Sequence, residues 1–322
     1  MSRKFKKTVA VSVSETNVSQ LPPFLRKTFP LLHELKARAN DLNQKPGDCW
    51  PSLILNAQTK QIYRPDIRGP FSIFMNRKGI SHCTLEGTRI TLPEDTFLIS
   101  NTGQYYSLEI DAPETVETFN LHLGNTFMEE VQASLRLSHS HLLDEPQARV
   151  EKLFIFPNRL NRKTSAFSAW IETARQREGE ALEAHLMHLI LYLLQEQKEI
   201  QAEISRLPAL RKTTREELHK RLNQARDCLY SDTKQRHSLD HLAQIACLSK
   251  YHFLRLFRAA YGCTPYQYQL QLRIEKSAQL LRCTKLSVQD IAFSMGFDDP
   301  SSFSRLFYRQ WGLYPSQYRN QF

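Results

Sequence analysis

The feature that most limits what this 322-residue chain can fold into is an internal repeat in its last third. LSKYHFLRLFRAAYGCTPYQY, from Leu248, returns as PSSFSRLFYRQWGLYPSQY, from Pro300. Phe253, Arg255, Leu256, Phe257, Gly262, Pro265, Gln267 and Tyr268 recur as Phe303, Arg305, Leu306, Phe307, Gly312, Pro315, Gln317 and Tyr318, each pair 50 positions apart. Upstream, Leu242-Ala243 matches Ile291-Ala292, with one extra residue in the second copy's turn. A pattern of apolar, glycine and proline positions used twice implies one supersecondary unit built twice.

Each copy reads as two short helices joined by a tight turn, a helix-turn-helix. Ser238 is expected to cap a helix through Leu239, Leu242, Ala243 and Ala246. Ser249 is expected to cap a second helix from Lys250 to Tyr261, ended by Gly262 in the left-handed conformation. Thr264-Pro265 then opens a long helix, with proline at its tolerated first position. In the second copy Ser287 caps, Gly296 lies in the turn and Gly312 terminates. The long helix through Leu270, Ile274, Ala278 and Leu281 would hold the two units apart.

The second helix of each unit divides by face. Phe253, Leu256, Phe257 and Ala260 follow the i, i+3, i+4, i+7 spacing of a buried stripe, as do Phe303, Leu306 and Phe307. Lys250, Tyr251, His252, Leu254, Arg255 and Arg258 are left outward in the first copy. In the second, Ser301, Ser302, Ser304, Arg305, Tyr308 and Arg309 are left outward. A helix lying in the DNA major groove needs donors for base edges near its N-terminal half and cations beside the phosphates. Arg255 and Arg305 hold the same outward position in both copies. Solvated faces would explain any one of these side chains, but not the duplicated set in a basic region.

Charge distribution points the same way. The chain carries a formal +10. From Thr214 to Phe322 there are 16 Lys and Arg against 9 Asp and Glu, leaving 27 and 24 for the rest of the chain. The six cysteines, Cys49, Cys83, Cys228, Cys247, Cys263 and Cys283, form no C-x-x-C pair and show no His partner at zinc spacing, so they read as small core residues in a reducing compartment. No apolar run is long enough to span a membrane, and the polar stretch after MSRKFKK cannot serve as a signal core. A cytoplasmic protein is expected, with no cofactor and no enzymatic activity.

The N-terminal part has a different texture. Apolar spacing at Phe29, Leu32, Leu35 and Ala39 suggests a short helix before the Lys45-Pro46-Gly47-Asp48 turn. From Trp50 to Leu123 come short strand-like runs, SLIL, FSIFM, ISHCTL, RITL, TFLIS, YYSLEI and VETFNLHL, with a hairpin turn at Glu86-Gly87 and another turn at Pro93-Glu94-Asp95. A sandwich or small barrel is implied. Asn125 is a candidate cap for a helix through Phe127, Met128, Val131 and Leu135, and a longer helical stretch covers residues 165–200. Leu182, Leu186, Leu189 and Leu193 form a narrow stripe on it, suited either to packing on the barrel or to pairing with a second subunit. The expected division is residues 1–204 for sensing and dimerisation, a linker at 205–214, and a DNA-binding domain at 215–322.

The stretch DIAFSMGFDDPSSFSRLFYRQWGLYPSQYR identifies a resemblance. Residues from about Leu218 onward resemble the DNA-binding domain of the AraC/XylS family of bacterial transcriptional regulators. The matching positions are Ile291-Ala292, Gly296-Phe297, Phe303 to Phe307, Gly312, Pro315 and Tyr318-Arg319. Tyr308 and Leu254 depart from it, standing where the family often has lysine and a polar base reader. The resemblance implies two recognition helices in successive major-groove segments, with Tyr251, Leu254 and Arg255 facing bases from the first and Ser301, Ser304 and Arg305 from the second. It also implies an activator that is often a homodimer acting near RNA polymerase. The N-terminal part, with TFLISNTGQYYSLEI, is similar to the family's cupin-like domain, so the expected fold class is α+β: a cupin-like β-barrel with flanking helices, then an all-α domain with two helix-turn-helix units. Where the family usually has Gly before Asp, this chain has Glu94-Asp95. In sugar-responsive members a small molecule lies in the barrel and an N-terminal arm touches it; the resemblance assigns no such role to Met1 to Val18.

Two other readings stand beside this one. A cupin-type metal-dependent enzyme fused to a DNA-binding module would draw on His82, His122, His139 and His141, but no H-x-H with a following Glu lies among the strands. A regulator without a ligand, controlled by a partner protein, is compatible with every residue. No effector-binding residue can be picked out, and Arg68, Arg77 and Arg89 are cations near the strands that solvated faces explain.

Overall fold

A computed structural model of the protein describes residues 24–27, 52–136, 155–177 and 179–321. The helix expected around Phe29 to Ala39, the segment Met1 to Val18, Cys49, His139 and His141 lie outside the described residues.

The N-terminal part is one eight-stranded sheet of β1 (Phe24–Lys27), β2 (Ser52–Arg68), β3 (Phe71–Lys78), β4 (Ser81–Leu85), β5 (Thr88–Leu92), β6 (Thr96–Ser100), β7 (Tyr105–Leu123) and β8 (Leu160–Arg162). The order is β1-β2-β7-β3-β6-β8, with β4 joining β7 to β5. Every pairing except β1 with β2 is antiparallel. Strand β7 pairs with β2 along its length, with β4 over its first half and with β3 over its second, which wraps the sheet into a nearly closed barrel. Its two halves, expected as separate strands, are therefore one element. Between the pairs Thr59↔Val116 and Gln61↔Asp111, residues 112–115 stand opposite Lys60 alone. Pro113, which has no N–H for a ladder, sits in that bulge and interrupts the alternation. The tight hairpin at Glu86-Gly87 has φ of 48° and 76°, the left-handed pair that a two-residue turn requires.

Both faces of the sheet are covered, as β3 shows. Phe71, Ile73 and Met75 face the core shared with three helices: α1 (Asn125–Arg136), α2 (Ser165–Gln176) and α3 (Gly179–Ser205). Phe74 points the other way, into the barrel interior with Leu53, Ile67, Cys83, Leu98 and Tyr106. The stripe Leu182, Leu186, Leu189 and Leu193 on α3 is at most 2% exposed and packs on the barrel. Of the two uses the sequence leaves open, the intrachain one occupies it. The stretch expected as one helix is two, broken where Arg177 is extended. Asn125 is the first helical residue rather than a cap, and the Gly124 carbonyl accepts the Met128 N–H.

The all-α part comprises α4 (Lys212–Ser231), α5 (Leu239–Ile245), α6 (Lys250–Tyr261), α7 (Pro265–Cys283), α8 (Val288–Ser294), α9 (Pro300–Trp311) and α10 (Pro315–Arg319). Only residues 206–211 separate α3 from α4, and Leu207 is buried against the first helical core. Helix α7 serves both units: Leu272 packs with Phe253 and Phe257, while Ile274, Ala278 and Leu281 pack with Phe303 and Phe307.

Helix α4 also grips the barrel. The buried Arg226 donates to the Leu160 carbonyl at 2.6 Å and pairs with Asp227 at 2.9 Å. Asp227 in turn accepts the Leu160 N–H at 3.1 Å. Beside this clamp, Glu203 accepts from Arg159 at 2.9 Å and from His219 at 2.7 Å.

Candidate nucleic-acid interface

In their first-helix caps and their turns the two units repeat the same hydrogen bonds. Ser238 accepts the His241 N–H at the start of α5, and Ser287 accepts the Asp290 N–H at the start of α8. In the first turn the N–H groups of Ala246, Cys247 and Leu248 donate to the carbonyls of Leu242, Gln244 and Ala243. In the second, Met295, Gly296 and Phe297 donate to Ile291, Phe293 and Ala292. The extra residue of the second copy therefore falls after Phe297, where Asp299 caps α9 by accepting from the N–H groups of Ser301 and Ser302. Hydrogen bonds from Ser302 and these two N–H groups hold the Asp299 carboxyl below the ordinary carboxylate range. The first copy lacks such a cap. Ser249 occupies the capping position of α6, but its hydroxyl makes no capping bond, contrary to expectation. Both α6 and α9 end on left-handed glycines, Gly262 and Gly312.

Faces separate along the expected stripe. Phe253, Phe257, Phe303 and Phe307 are fully buried, whereas Leu306 is half-buried. Lys250, Tyr251, Arg255, Arg258, Ser301, Arg305 and Arg309 are exposed. His252, Leu254, Ser302 and Ser304 are half-buried. Some of these side chains are already engaged. Lys250 pairs with Asp240 at 2.7 Å. Ser302 donates to the Asp299 carboxylate at 2.8 Å and accepts from Arg305 at 3.2 Å. Ser304 donates to the Pro300 carbonyl at 2.9 Å. Tyr308 stacks on Tyr314, ring centroids 4.7 Å apart. The face of α9 is thus braced within its own unit, while among the described residues no hydrogen bond or ion pair engages Tyr251 or Arg255 on α6.

The barrel interior holds a second feature. A pocket of about 660 Å³, counting the solvent space at its mouth, is lined by Leu55, Ile62, Phe74, Tyr106, Leu108 and Ile110, with Arg64, Ser81, Glu109, Thr118, Asn120 and His122 as its polar residues. Ser72 donates its only hydroxyl hydrogen to the Pro70 carbonyl at 2.8 Å. Its contact with His122 Nδ1, at 2.8 Å, must then be an N–H donated by the ring. That fixes the tautomer, leaving His122 Nε2 a lone pair with no hydrogen-bond partner. Burial holds the ring's pKa down to about 4, so it is neutral at pH 7. Arg77 pairs with Glu117 and Glu172, and Arg89 pairs with Glu109, so these cations are matched by carboxylates of their own domain.

Of the histidines considered for a barrel metal site, the two described ones, His82 and His122, have separate partners. His82 contacts Thr91 and His122 contacts Ser72. Among the described residues the one group of three potential metal ligands is Cys228, His237 and His241, in the helical domain. From sequence no cysteine has a histidine partner at zinc spacing; the fold nevertheless brings Cys228 beside His237, Sγ to Nδ1 3.7 Å. The sequence signal was the H-x3-H of His237 and His241, with Cys228 nine residues upstream.

Comparison with known proteins bears on the same region. The sequence pattern of a family described as a helix-turn-helix domain matches residues 242–321. The MmsAB operon regulatory protein of Pseudomonas aeruginosa is 43% identical over 83 residues, 26% of this chain and 27% of that protein. The HTH-type transcriptional regulator AlkR of Acinetobacter baylyi is 31% identical over 104 residues, 32% of this chain and 34% of that protein. A solved transcriptional regulator from Chromobacterium violaceum, described as containing an AraC-type DNA-binding domain, covers 31% of this chain and 90% of its own at 28% identity and a TM-score of 0.31. The matches to the two curated relatives thus span about a quarter to a third of their length. The duplicated fold and the sequence matches define the C-terminal part as a DNA-binding domain with paired helix-turn-helix units. Within that class it is a domain of the AraC/XylS family of transcriptional regulators. No helix among the described residues is long and apolar enough to cross a membrane.

Proposed function

We propose that the protein is a sequence-specific transcriptional regulator, acting as an activator, that reads double-stranded DNA with α6 and α9. The observation that carries this is the duplicated separation of buried phenylalanines from outward Arg255 and Arg305. Tyr251, Leu254, Arg255, Ser301, Ser304 and Arg305 face the bases, and Lys250, His252, Arg258, Ser302 and Arg309 serve the flanking phosphates and edges. Residues 1–204 form the sensing and dimerising part and 215–322 the DNA-binding part. The homodimer forms through surfaces of the barrel domain other than the leucine stripe of α3, and the bound dimer contacts RNA polymerase.

The barrel cavity supports an effector-controlled regulator over one without a ligand. Its walls are largely apolar, with Arg64 and Glu109 as their charged residues, and its unpartnered lone pair on His122 is suited to a largely apolar molecule presenting one hydroxyl or N–H. The deciding experiment selects a target site from random duplexes and measures binding of Arg255→Ala and Arg305→Ala. Each change is expected to cost about 1–3 kcal/mol at the selected site and much less on random DNA. Equal losses on both kinds of DNA would reduce these arginines to phosphate contacts and overturn the base-reading assignment.

A further inference from the structure

The contact between α4 and α5 has the chemistry of a metal site. Cys228 lies near the end of α4, His237 in the turn that follows, and His241 in the first half of α5. Their potential ligand atoms all lie within 4.8 Å of one another. Cys228 Sγ and His237 Nδ1 are 3.7 Å apart. A tetrahedral ion with bonds of about 2.3 Å to sulfur and 2.0–2.1 Å to nitrogen sets its ligands roughly 3.5 Å from each other, so the sulfur–nitrogen edge is already close to the required length. The His237 ring is also oriented for the task. Its Nε2 lies 3.0 Å from the Asp232 carbonyl, which can only accept, so Nε2 carries the hydrogen and Nδ1 presents a lone pair toward the thiol. A backbone carbonyl that fixes the tautomer of a ligating histidine is a recurring outer partner of metal centres. The His241 ring lies 14° from the plane of His237, with centroids 6.0 Å apart, and is exposed, which leaves a path for an ion.

We propose that Cys228, His237 and His241 bind one divalent transition-metal ion of the zinc type, with a fourth position left for water. A set of one thiolate and two imidazoles selects a borderline-soft ion such as Zn2+ over Mg2+ or Ca2+. The bound ion ties the end of α4 to α5, the helix against which α6 is set. It therefore acts as a staple of the first DNA-reading unit, apart from the barrel cavity.

The test uses the full chain freed of metal with a chelator and titrated with Co2+, then Zn2+. One equivalent of Co2+ is expected to produce a thiolate-to-cobalt charge-transfer band that Zn2+ abolishes by displacement. Zn2+ at a hundred times its Kd should raise the folded-to-unfolded ratio of the chain about 100-fold. Cys228→Ser should lose the band. His241→Ala, at an exposed position, should keep the metal-free melting temperature and weaken Zn2+ binding about tenfold or more. No band at one equivalent would overturn the proposal, as would a band that survives in Cys228→Ser or an unchanged Zn2+ Kd in His241→Ala. The Cys228–His237 contact would then be an S–H···N hydrogen bond and nothing more.

Discussion

Cys247 and Gly296 occupy the same place in the two turns but carry different strain. Both have positive φ, 51° and 74°. A side chain in that region is pushed toward its own carbonyl, at a cost of about 1–2 kcal/mol, which glycine avoids. Cys247→Gly should therefore stabilise the first unit by up to about 1 kcal/mol in chemical denaturation. Gly296→Ala should act oppositely and more strongly, since an added Cβ would meet the Lys234 carbonyl oxygen at 2.8 Å. A loss of about 2 kcal/mol or more is expected. His122 gives a second prediction at this scale. Its folded-state pKa, about 4, lies below the ordinary 6.5. The unfolded chain thus takes up the proton first as pH falls, and stability drops progressively between about pH 6.5 and 4 by roughly 3 kcal/mol. His122→Gln should flatten that part of the pH–stability curve; an unchanged slope would place the loss on other groups.

At the scale of elements, what the sequence revealed followed from periodicity. Helices α5 to α9 are readable because each carries an apolar stripe together with a start or stop signal, such as Ser238, Thr264-Pro265 or Gly312. The long strands are not, because the bulge around Pro113 breaks the alternation within β7. Strand β8 is too short to carry a pattern and exists by pairing with β6. On the recognition helices, the inward and outward sets were readable from spacing. The engagement of Ser302 with Asp299 and of Ser304 with Pro300 was not, since it depends on where α9 begins. Buried Arg273 on α7 was equally hidden, reading from sequence as one more basic residue. Its guanidinium donates to the carbonyls of Thr233 at 2.8 Å, Lys234 at 3.1 Å and Gly296 at 3.3 Å. Arg273→Met should cost about 2–4 kcal/mol through carbonyls left unpaired. It should also weaken binding to a duplex that engages both units more than binding to one that engages α6 alone, because it loosens the seat of the second turn.

The charge of the whole molecule has two uses that composition cannot separate. Of the basic residues in the C-terminal third, Arg226 and Arg273 are 3% and 5% exposed and hold the structure together. The footprint available to DNA is correspondingly smaller than the formal count, though still centred on this domain. Arg226 in particular joins barrel to helices: with Asp227 it satisfies both backbone groups of Leu160, and Tyr230 lies beneath its guanidinium at 5.4 Å. Leu160 packs in the interior core of the barrel, the core to which Phe74 and Tyr106 of the cavity wall belong. A ligand that changes the cavity wall has a short packed route to α4, and through α4 to the first DNA-reading unit. Replacing Arg226 by Met would leave Asp227 buried without its cation, at a cost of about 3–5 kcal/mol. In calorimetry the wild-type chain should unfold in one transition, and Arg226→Met should split it, with the helical domain melting first. The same variant should bind a cavity ligand with near-normal affinity yet lose its effect on DNA affinity, because coupling requires an element that both sites bias. One undivided transition in Arg226→Met, with the ligand's effect on DNA intact, would show that the clamp is only a local contact.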